Sequence, residues 1–559
     1  MPPFLPFLSF AMLLPVVPAR ARPLLIVLAP LVGGLFLLGA PESGSWNLRL
    51  LEYELSPVRY DRLSLLFGYL FHLAAFIAAI FSWHVRDPVQ QAVGLLYPAS
   101  AIGAVFAGDL ISLFVFWELM AVTSVFLVWA RGTERAYRSG LRYLIIQVLS
   151  GVFLLSGALL LVHRTGSIRF DFVGLNGLAG WLIFLAFGIK CAFPLLHNWL
   201  TDAYPEATPT GTVFLSAFTT KTAIYALARG FPGTELLVYI GVAMTCFPIF
   251  YAVIENDLRR VLAYSMINQL GFMVCGIGIG TALAINGAVA HAFNDVIFKG
   301  LLMMSMGAVL YMTGRINGSD LGGLYKSMPI TTGLCIVGAA SISAFPLFSG
   351  FVSKSLVMSA ALYEGYDIVW LGLLFASAGV FHHAGIKIPF FAFFAHDSGI
   401  RVTEPPANML AAMFLAAALC ILTGVYPAWL YSLLPFEVDY TPYDATHVIA
   451  QLQLLFFSAL AFTWLKLSGI YPPELRSVNL DAEWVYRRAG PRVIGAVEAF
   501  IGTVDRRARR SLLGALRRLL ANLEIYYGPA SVAARGWNTA WMVLCAIAGL
   551  GIYLVFLYA

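Results

Sequence analysis

The chain has 559 residues, of which 60% are hydrophobic and only 11% are charged, whereas soluble domains carry about 25% charged residues. This composition and a mean hydropathy of +0.82 place the protein in the membrane class and exclude a soluble domain. The net charge of +6 is spread unevenly, and no basic patch interleaved with aromatic residues indicates a nucleic-acid partner.

Apolar runs of about 17 to 30 residues recur along the chain and predict transmembrane helices, because a backbone in lipid must satisfy its own hydrogen bonds. The first run, "MPPFLPFLSFAMLLPVVPARARP", has its charges after the apolar part. We therefore interpret it as a retained span, although "VPA" resembles a signal-peptide cleavage site. We expect about 14 to 16 transmembrane helices. The predicted spans lie at 3–18, 23–40, 63–83, 90–107, 109–130, 141–163, 178–197, 208–229, 235–254, 261–280, 283–312, 330–361, 367–394, 408–433, 448–468 and 537–557.

Basic residues in short loops predict the orientation of these spans, since cytoplasmic loops carry an excess of lysine and arginine. Loops after odd-numbered spans carry Arg20, Arg22, Arg86, Arg131, Arg135, Arg138, Arg142, Arg259, Arg260, Arg315, Lys326 and Arg401. Loops after even-numbered spans carry Arg49, Arg59, Arg62, Arg164, Arg169 and Arg229. We expect the first set in the cytoplasm and both termini outside, in the cytoplasmic (inner) membrane of a bacterium.

Between the last two spans, residues 493–526 form an arginine-rich segment. Its apolar residues fall at helical spacing and its arginines share the opposite face, which predicts an amphipathic lateral helix along the cytoplasmic surface. Binding to lipid headgroups and bracing of neighbouring subunits both remain open for this helix.

Two stretches, "GIKCAFPLLHNWL" (188–200) and "SISAFPLFSGFVSK" (341–354), share the tetrapeptide AFPL and place a proline within an apolar span. Proline removes a helical hydrogen bond and breaks or kinks the helix. Paired interrupted helices are typical of transporters built from repeats. The match is short enough to arise by chance, so it suggests an internal duplication without establishing one.

Seven ionisable residues fall inside or beside predicted spans, where a charge costs about 2.5 to 3.5 kcal/mol on insertion scales. They are Glu118, Lys190, Lys221, His291, Asp295, Lys299 and Lys354. His291, Asp295 and Lys299 are spaced four apart and share one helical stripe. We expect Asp295 to pair with Lys299.

Groups that move protons through hydrocarbon need pKa values near neutrality, which burial and a nearby opposite charge can set. A lysine beside a movable carboxylate is such a switch, and we expect Glu118 to control Lys190. Structural ion pairs, or snorkelling of Lys299 toward the membrane surface, are the alternatives. The occurrence of such residues in five spans together favours the proton pathway.

Other motifs carry little chemistry. Six cysteines are scattered through apolar runs without a CxxC pair, and no Walker motif, Ser-His-Asp arrangement or zinc spacing occurs, so we expect no cofactor and no metal. His382 and His383 adjoin, with Lys387 one turn further on, and either extend the polar path toward a surface or cap a helix.

The stretches "LISLFVFWELM", "GIKCAFPLLHNWLTDAYPEATPTGTVFLSAFTTKTAIYALAR", "ENDLRRVLAYSMINQLGFM", "HAFNDVIFKGLL" and "FPLFSGFVSK" resemble the antiporter-like subunits. This family comprises large membrane subunits of respiratory complex I, their hydrogenase relatives and subunits of Mrp-type multisubunit cation/proton antiporters. The resemblance covers roughly residues 90 to 400 in matching order.

The resemblance implies an all-α membrane protein with two inverted five-helix repeats that contain broken helices. The implied parts are N-terminal helices (1–89), a first repeat (90–230), a second repeat (235–395), spans 14 and 15 (405–470), the lateral helix (471–530) and the last span (535–559). Glu118 then matches the glutamate that pairs with the span-7 lysine, Lys190. Lys221, His291, Lys299 and Lys354 match the ionisable positions of spans 8, 11 and 12, while Asp295 stands where many members have a second histidine.

We therefore predict a proton-translocating subunit of a larger membrane complex, most consistent with an Mrp-type Na⁺/proton antiporter. A complex I-type redox complex and a bicarbonate-uptake subunit remain alternatives, as does a stand-alone transporter. Partners would be other membrane subunits, including other antiporter-like chains. An intramembrane enzyme is disfavoured because His291 and Asp295 lack an obvious nucleophile or substrate groove.

Overall fold

The computed structural model describes residues 1–50, 53–476, 479, 481–531 and 534–558. The chain divides into two units, Met1–Asn479 and Leu480–Ala559. In the part of the chain that is described, eleven helices are long and apolar enough to cross a membrane, and three shorter apolar helices accompany them. The prediction of a helical protein with many membrane spans is confirmed.

The first unit begins with α1 (Leu5–Leu13), α2 (Arg22–Leu38), strands β1 (Gly44–Leu50) and β2 (Tyr53–Tyr60), and α3 (Arg62–Phe81). The predicted first span, 3–18, is too long. Helix α1 has nine residues, or about 14 Å at 1.5 Å per residue, against a hydrocarbon core of about 30 Å. Pro15 and Pro18 follow its end and cannot continue the helix.

The antiparallel hairpin of β1 and β2 is an addition to the helical fold that the sequence analysis did not predict. Its sequence alternates apolar and polar residues, as in "WNLRL", a pattern of period two that is distinct from a long apolar run. Ser56 fixes the hairpin to the helices. Its carbonyl accepts the Gly108 N–H at 2.8 Å, and its N–H donates to the Asp109 carboxylate at 2.7 Å.

Two groups of helices follow in the same order. The first contains α4 (Pro88–Phe106), α5 (Leu110–Trp129), α6 (Glu134–Thr165), α7 (Gly177–Lys190), α8 (Asn198–Ala203), α9 (Gly211–Ala217) and α10 (Thr219–Gly230). The second contains α11 (Leu236–Ile254), α12 (Leu258–Ile279), α13 (Ala282–Thr313), α14 (Pro329–Ile342), α15 (Ser349–Tyr363) and α16 (Asp367–Val380), continued by π-helical segments Phe381–Lys387 and Phe390–Phe394. Short 3₁₀ turns lie at Tyr204–Glu206, Gly318–Asp320 and Leu324–Lys326.

The tetrapeptide AFPL interrupts one helix in each group with the same backbone geometry. The angle φ is +61° at Ala192 and +69° at Leu195, and it is +56° at Ala344 and +74° at Leu347. In each copy the phenylalanine N–H donates at 3.0 Å to the carbonyl five residues earlier. A left-handed conformation costs a non-glycine residue about 1–2 kcal/mol, so its recurrence at matching positions indicates a duplicated structure rather than a chance match.

A second feature also occurs once in each group. The residue that precedes α5 or α12 pairs with the segment that follows α6 or α13. Asp109 pairs with Arg169 in an isolated β-bridge, and Asp257 pairs with Asn317 in the same way. In both cases the partner in the second group lies 148 residues later, from 109 to 257 and from 169 to 317. The sequence signal is "DL" followed at equal spacing by "TGSI" or "TGRI".

Each group contains five predicted spans. After an odd number of crossings the chain has changed sides, so the second group starts from the opposite membrane face. The two groups are therefore inverted repeats, and each contains one helix broken at AFPL. We propose that the repeats end near the boundaries expected from the sequence, 90–230 and 235–395.

Three helices complete the first unit, namely α17 (Ala407–Val425), α18 (Ala428–Tyr431) and α19 (Ala445–Leu467). In the second unit, the π-helical segment Val485–Ala489 leads into α20 (Gly490–Tyr527), and α21 (Thr539–Tyr558) is the last predicted span. Helix α20 has 38 residues and includes the predicted amphipathic stretch. Its location along the membrane surface stays a prediction.

Candidate functional site

The seven predicted ionisable residues all lie on helices of the two repeats. Six of them are at most 2% exposed, whereas Glu118 is half-buried. Their positions are Glu118 on α5, Lys190 on α7, Lys221 on α10, His291, Asp295 and Lys299 on α13, and Lys354 on α15. Burial of so many ionisable groups in apolar helices is costly unless each finds a partner.

Lys190 is the last residue of α7, next to the first AFPL interruption. Its Nζ donates to the Trp117 carbonyl oxygen at 2.6 Å and lies 4.7 Å from the centre of the Trp117 ring. A lysine at this helix end is held by a peptide dipole and an aromatic face rather than by a direct contact with a carboxylate.

Glu118, the neighbour of Trp117, points toward Gly151 of α6. A Cβ atom at Gly151 would lie 1.6 Å from the Glu118 Oε1 atom, so only glycine leaves room for the carboxylate in this position. This Oε1 is buried and has no hydrogen-bond partner among the described residues. Glu118 and Lys190 remain close enough to interact electrostatically. Control of Lys190 by Glu118 stays a prediction.

Lys221 and Asp295 form an ion pair at 2.6 Å, and neither side chain is exposed. The pair joins α10 of the first repeat to α13 of the second. The Lys221 ammonium also donates to the Ser216 carbonyl at 3.2 Å. The two charges therefore compensate each other at the boundary between the repeats.

The expected pairing of Asp295 with Lys299 is wrong. Lys299 donates instead to the Ser265 hydroxyl on α12, at 2.7 Å. The four-residue spacing correctly places both residues on one face of α13, but Lys221 approaches from another helix and takes the carboxylate.

His291 has hydrogen-bond contacts on both ring nitrogens. Nδ1 lies 3.0 Å from the Ser353 hydroxyl on α15, and Nε2 lies 3.1 Å from the Gln269 side-chain oxygen on α12. The Gln269 amide donates onward to Asn268 at 2.6 Å. The histidine thus links three helices through polar side chains.

Lys354 lies beside the second interruption, where its Nζ donates to the Ile342 carbonyl at 2.8 Å. Ile342 is the last residue of α14, so this carbonyl belongs to a helix end. Lys354 also borders a cavity of about 190 Å³ that reaches His447 on α19. Between them, the Ser359 hydroxyl lies 3.4 Å from His447 Nε2.

The sequence interpretation missed the polar groups that receive these charges. Ser265 and Gln269 are four residues apart on α12, within the apolar stretch "VLAYSMINQLGFM", and Ser353 precedes Lys354 directly. Polar residues at helical spacing in a membrane span were the available signal. The carbonyl oxygens that accept from the lysines could not be predicted, because every residue has a backbone carbonyl.

In the described part of the chain, no group of three or more His, Cys, Asp or Glu residues is arranged to hold a metal ion. All six cysteines are free of disulfides.

Comparison with known proteins relates the same region to one family. The model of the family described as "NADH:quinone oxidoreductase/Mrp antiporter, TM" matches residues 107–381. The D-type subunit of a Na(+)/H(+) antiporter from Alkalihalophilus pseudofirmus is 30% identical over 363 residues, which are 60% of this chain and 72% of that protein. The N-type subunit of an NADH-quinone oxidoreductase from Desulforudis audaxviator is 33% identical over 320 residues, 53% of this chain and 64% of that protein.

A solved structure extends the likeness to nearly the entire chain. A chain of the membrane-bound sulfane sulfur reductase, an archaeal respiratory membrane complex, superimposes with a TM-score of 0.72. The match covers 98% of this chain and 99% of that chain, at 21% sequence identity. At this identity the likeness shows the fold alone.

The Lys221–Asp295 pair can be tested by a double-mutant cycle. Asp295→Asn leaves a buried ammonium without its partner and should lower the free energy of unfolding by about 3–5 kcal/mol. The cycle compares the single variants Lys221→Met and Asp295→Leu with the double variant Lys221→Met/Asp295→Leu, which should recover most of this loss because neither charge remains. Thermal unfolding of the purified protein in detergent measures the change, with exposed Asp367→Asn as the control. Purely additive effects in the cycle would contradict the coupling.

Proposed function

Because this chain belongs to the family of membrane subunits shared by NADH:quinone oxidoreductases and Mrp antiporters, we propose that it moves protons within an Mrp-type cation/proton antiporter. It is a multi-pass membrane protein, and its relatives are subunits of multisubunit membrane complexes. Sodium is the proposed exchanged ion. We place it in a bacterial inner membrane, with other antiporter-like subunits as its partners.

The single observation that carries this proposal is the unexposed ion pair of Lys221 and Asp295 between the repeats. An ionisable residue within the membrane is a functional candidate by default, because a well-packed apolar residue of similar size would usually serve stability as well. Here the pair joins α10 of the first repeat, which also contains Lys190, to α13 of the second repeat, which also contains Lys354. It is the proposed connection between the two half-sites.

In this pathway protons enter near Lys190 and leave near Lys354. Between these lysines they pass through Lys221, His291, Asp295 and Lys299. A proton arriving on one lysine raises the cost of a charge on the next, because Coulomb repulsion is strong in low-dielectric surroundings. Glu118 offers a second carboxylate near the entry. Energy must come from the gradient of another ion or from partner subunits.

The cavity beside Lys354 supports the exit. It is bordered by Ser355, Ser359 and Gln451 as well as by apolar side chains, and it ends at the partly exposed His447. The hydroxyl, amide and imidazole groups at its border offer hydrogen-bond partners to water, which transfers protons between groups that do not touch.

Lys190→Ala should lower proton transport by about half or more, since it removes the proton-carrying group at the entry. Proton uptake by proteoliposomes that contain the entire complex measures the effect. The control is Lys326→Ala, which removes a half-exposed lysine paired with Asp397 at the protein surface. Equal transport by wild type and Lys190→Ala, in complexes assembled to equal levels, would refute the pathway.

Gly151→Ala should impair transport although it changes no charge. The added methyl group takes the space of the Glu118 carboxylate and forces it to move away from α6. Gly300→Ala on α13 is the matched control, since a Cβ atom there meets no heavy atom within 4 Å. We expect a loss of up to about half for Gly151→Ala alone. If both variants transport protons at the wild-type rate, the position of Glu118 is unimportant.

A second candidate is the proton-pumping subunit of a complex I-type redox complex. The N-type subunit of an NADH-quinone oxidoreductase, 33% identical over 320 residues, favours it. A bicarbonate-uptake subunit remains the third alternative. No observation on the described residues favours it specifically.

Purification of the tagged chain in mild detergent, followed by mass spectrometry, separates these candidates. We expect small membrane subunits and further antiporter-like chains, as an Mrp-type complex requires. Flavin- or iron–sulfur-containing partners would assign the chain to a redox complex instead. A soluble zinc protein as the main partner would indicate bicarbonate uptake.

A further inference from the structure

A buried lysine outside the pathway described above lies near the end of the last span of the second repeat. Lys387 Nζ donates to the carbonyl oxygens of Val253 and Glu255, at 2.6 Å each. It also forms an ion pair with Glu474 at 3.0 Å, in which the side chains are 0% and 6% exposed. The basic loops predict that this end of the repeat faces the cytoplasm.

His383 lies between Lys387 and the centre of the protein. It is fully buried in the π-helical segment Phe381–Lys387, and its ring makes no hydrogen bond with a described side chain. Lys299 of α13 and Lys387 are both close enough for their charges to act on this ring. π-Helical turns are rare in proteins, but those that occur often lie at functional sites. His383 is therefore a buried titratable group within the electrostatic range of both lysines.

The other titratable groups around this cluster have partners of their own. His382 stacks on the Tyr471 ring, at 5.6 Å between centroids. Lys466 lies over the rings of Phe391 and Tyr471, at 5.0 and 5.5 Å from their centroids. Glu255 accepts backbone N–H groups from Asn256 and Asp257. Because these groups are engaged elsewhere, His383 is the titratable group that can connect Lys387 to the interior of the protein.

The first repeat closes its corresponding end with a different cation. Arg229, near the end of α10, donates to both Asp61 oxygens at 2.9 and 2.8 Å. Burial raises the pKa of Asp61, but the Arg229 charge and hydrogen bonds outweigh it and lower that pKa overall. Asp61 and Glu474 both come from segments outside the repeats. Each repeat thus has, at this end, a buried cation paired with a carboxylate, which we call its seal. The arginine of the first seal does not release a proton, whereas the buried lysine of the second can.

We infer that the second repeat has a proton entry of its own on the predicted cytoplasmic side, formed by Glu474, Lys387 and His383 and ending at Lys299. Lys387 gives one N–H proton to a ring nitrogen of neutral His383. The imidazolium then gives its other N–H proton to the neutral amine of Lys299, and protonated Glu474 restores the ammonium of Lys387. The inference rests on the proposed proton transport through Lys299.

Lys387→Arg is the decisive variant, because it keeps the charge and the contact with Glu474 but removes the ability to release a proton. We expect proton uptake by the reconstituted complex to fall by about half or more, since one of two entries closes. His383→Gln, which removes the titratable ring, should give the same loss. Arg229→Lys and His382→Gln are the matched controls and should transport protons at the wild-type rate.

The outcomes separate this inference from the proposed function. Wild-type transport by both Lys387→Arg and His383→Gln, together with loss of transport in Lys299→Ala, would overturn the second entry and leave the main pathway intact. Wild-type transport by Lys299→Ala would refute the pathway itself. Equal losses in Arg229→Lys and Lys387→Arg would reduce Lys387 to a structural seal and also overturn the inference. All variants are compared at equal amounts of assembled complex.

Discussion

Three of the buried lysines depend on carbonyl oxygens that interrupted or ending helices leave free. Lys354 donates to Ile342 at the end of α14, Lys221 donates to Ser216 near the end of α9, and Lys387 donates to two carbonyls at the end of α11. The last four carbonyls of a helix have no intrahelical partner and carry the negative end of its dipole. These three ammonium groups therefore find their acceptors where a helix stops, and the position of each helix end fixes the position of a charge.

These breaks are maintained against a backbone cost. Each AFPL copy holds an alanine and a leucine in the left-handed region, at about 1–2 kcal/mol per residue. Strain of this size persists where the surrounding structure fixes it, and it concentrates at functional sites. In both repeats the break lies within or beside the apolar span that supplies a lysine or its acceptor carbonyl. In the second repeat, repair of the helix would remove the strain and also the Ile342 carbonyl that accepts from Lys354.

Long apolar runs predicted the spans, and single charges within those runs predicted the candidate site. The hairpin at 44–60 escaped prediction because its period of two differs from a membrane span. The Asp295–Lys221 pair escaped because spacing along one helix defines a shared face but does not show which neighbouring helix reaches it. The same limit applies to Ser265 and Gln269, whose roles depend on the approach of α13. Backbone acceptors such as the Trp117 carbonyl leave no trace in a sequence.

The two repeats have similar helices but carry different ionisable residues at matching positions. The offset of 148 residues that relates Asp109 to Asp257 also relates Gly151 to Lys299. In the first repeat the glycine leaves space for the Glu118 carboxylate from α5, whereas in the second repeat the same position supplies the lysine itself. The two half-sites are therefore unlike in charge, although their helices are alike. The Lys221–Asp295 pair takes one charge from each repeat, so a change of charge close to it in either repeat would alter its electrostatic balance. In the proposed proton pathway, this pair is therefore the element through which the occupancy of one half can control that of the other.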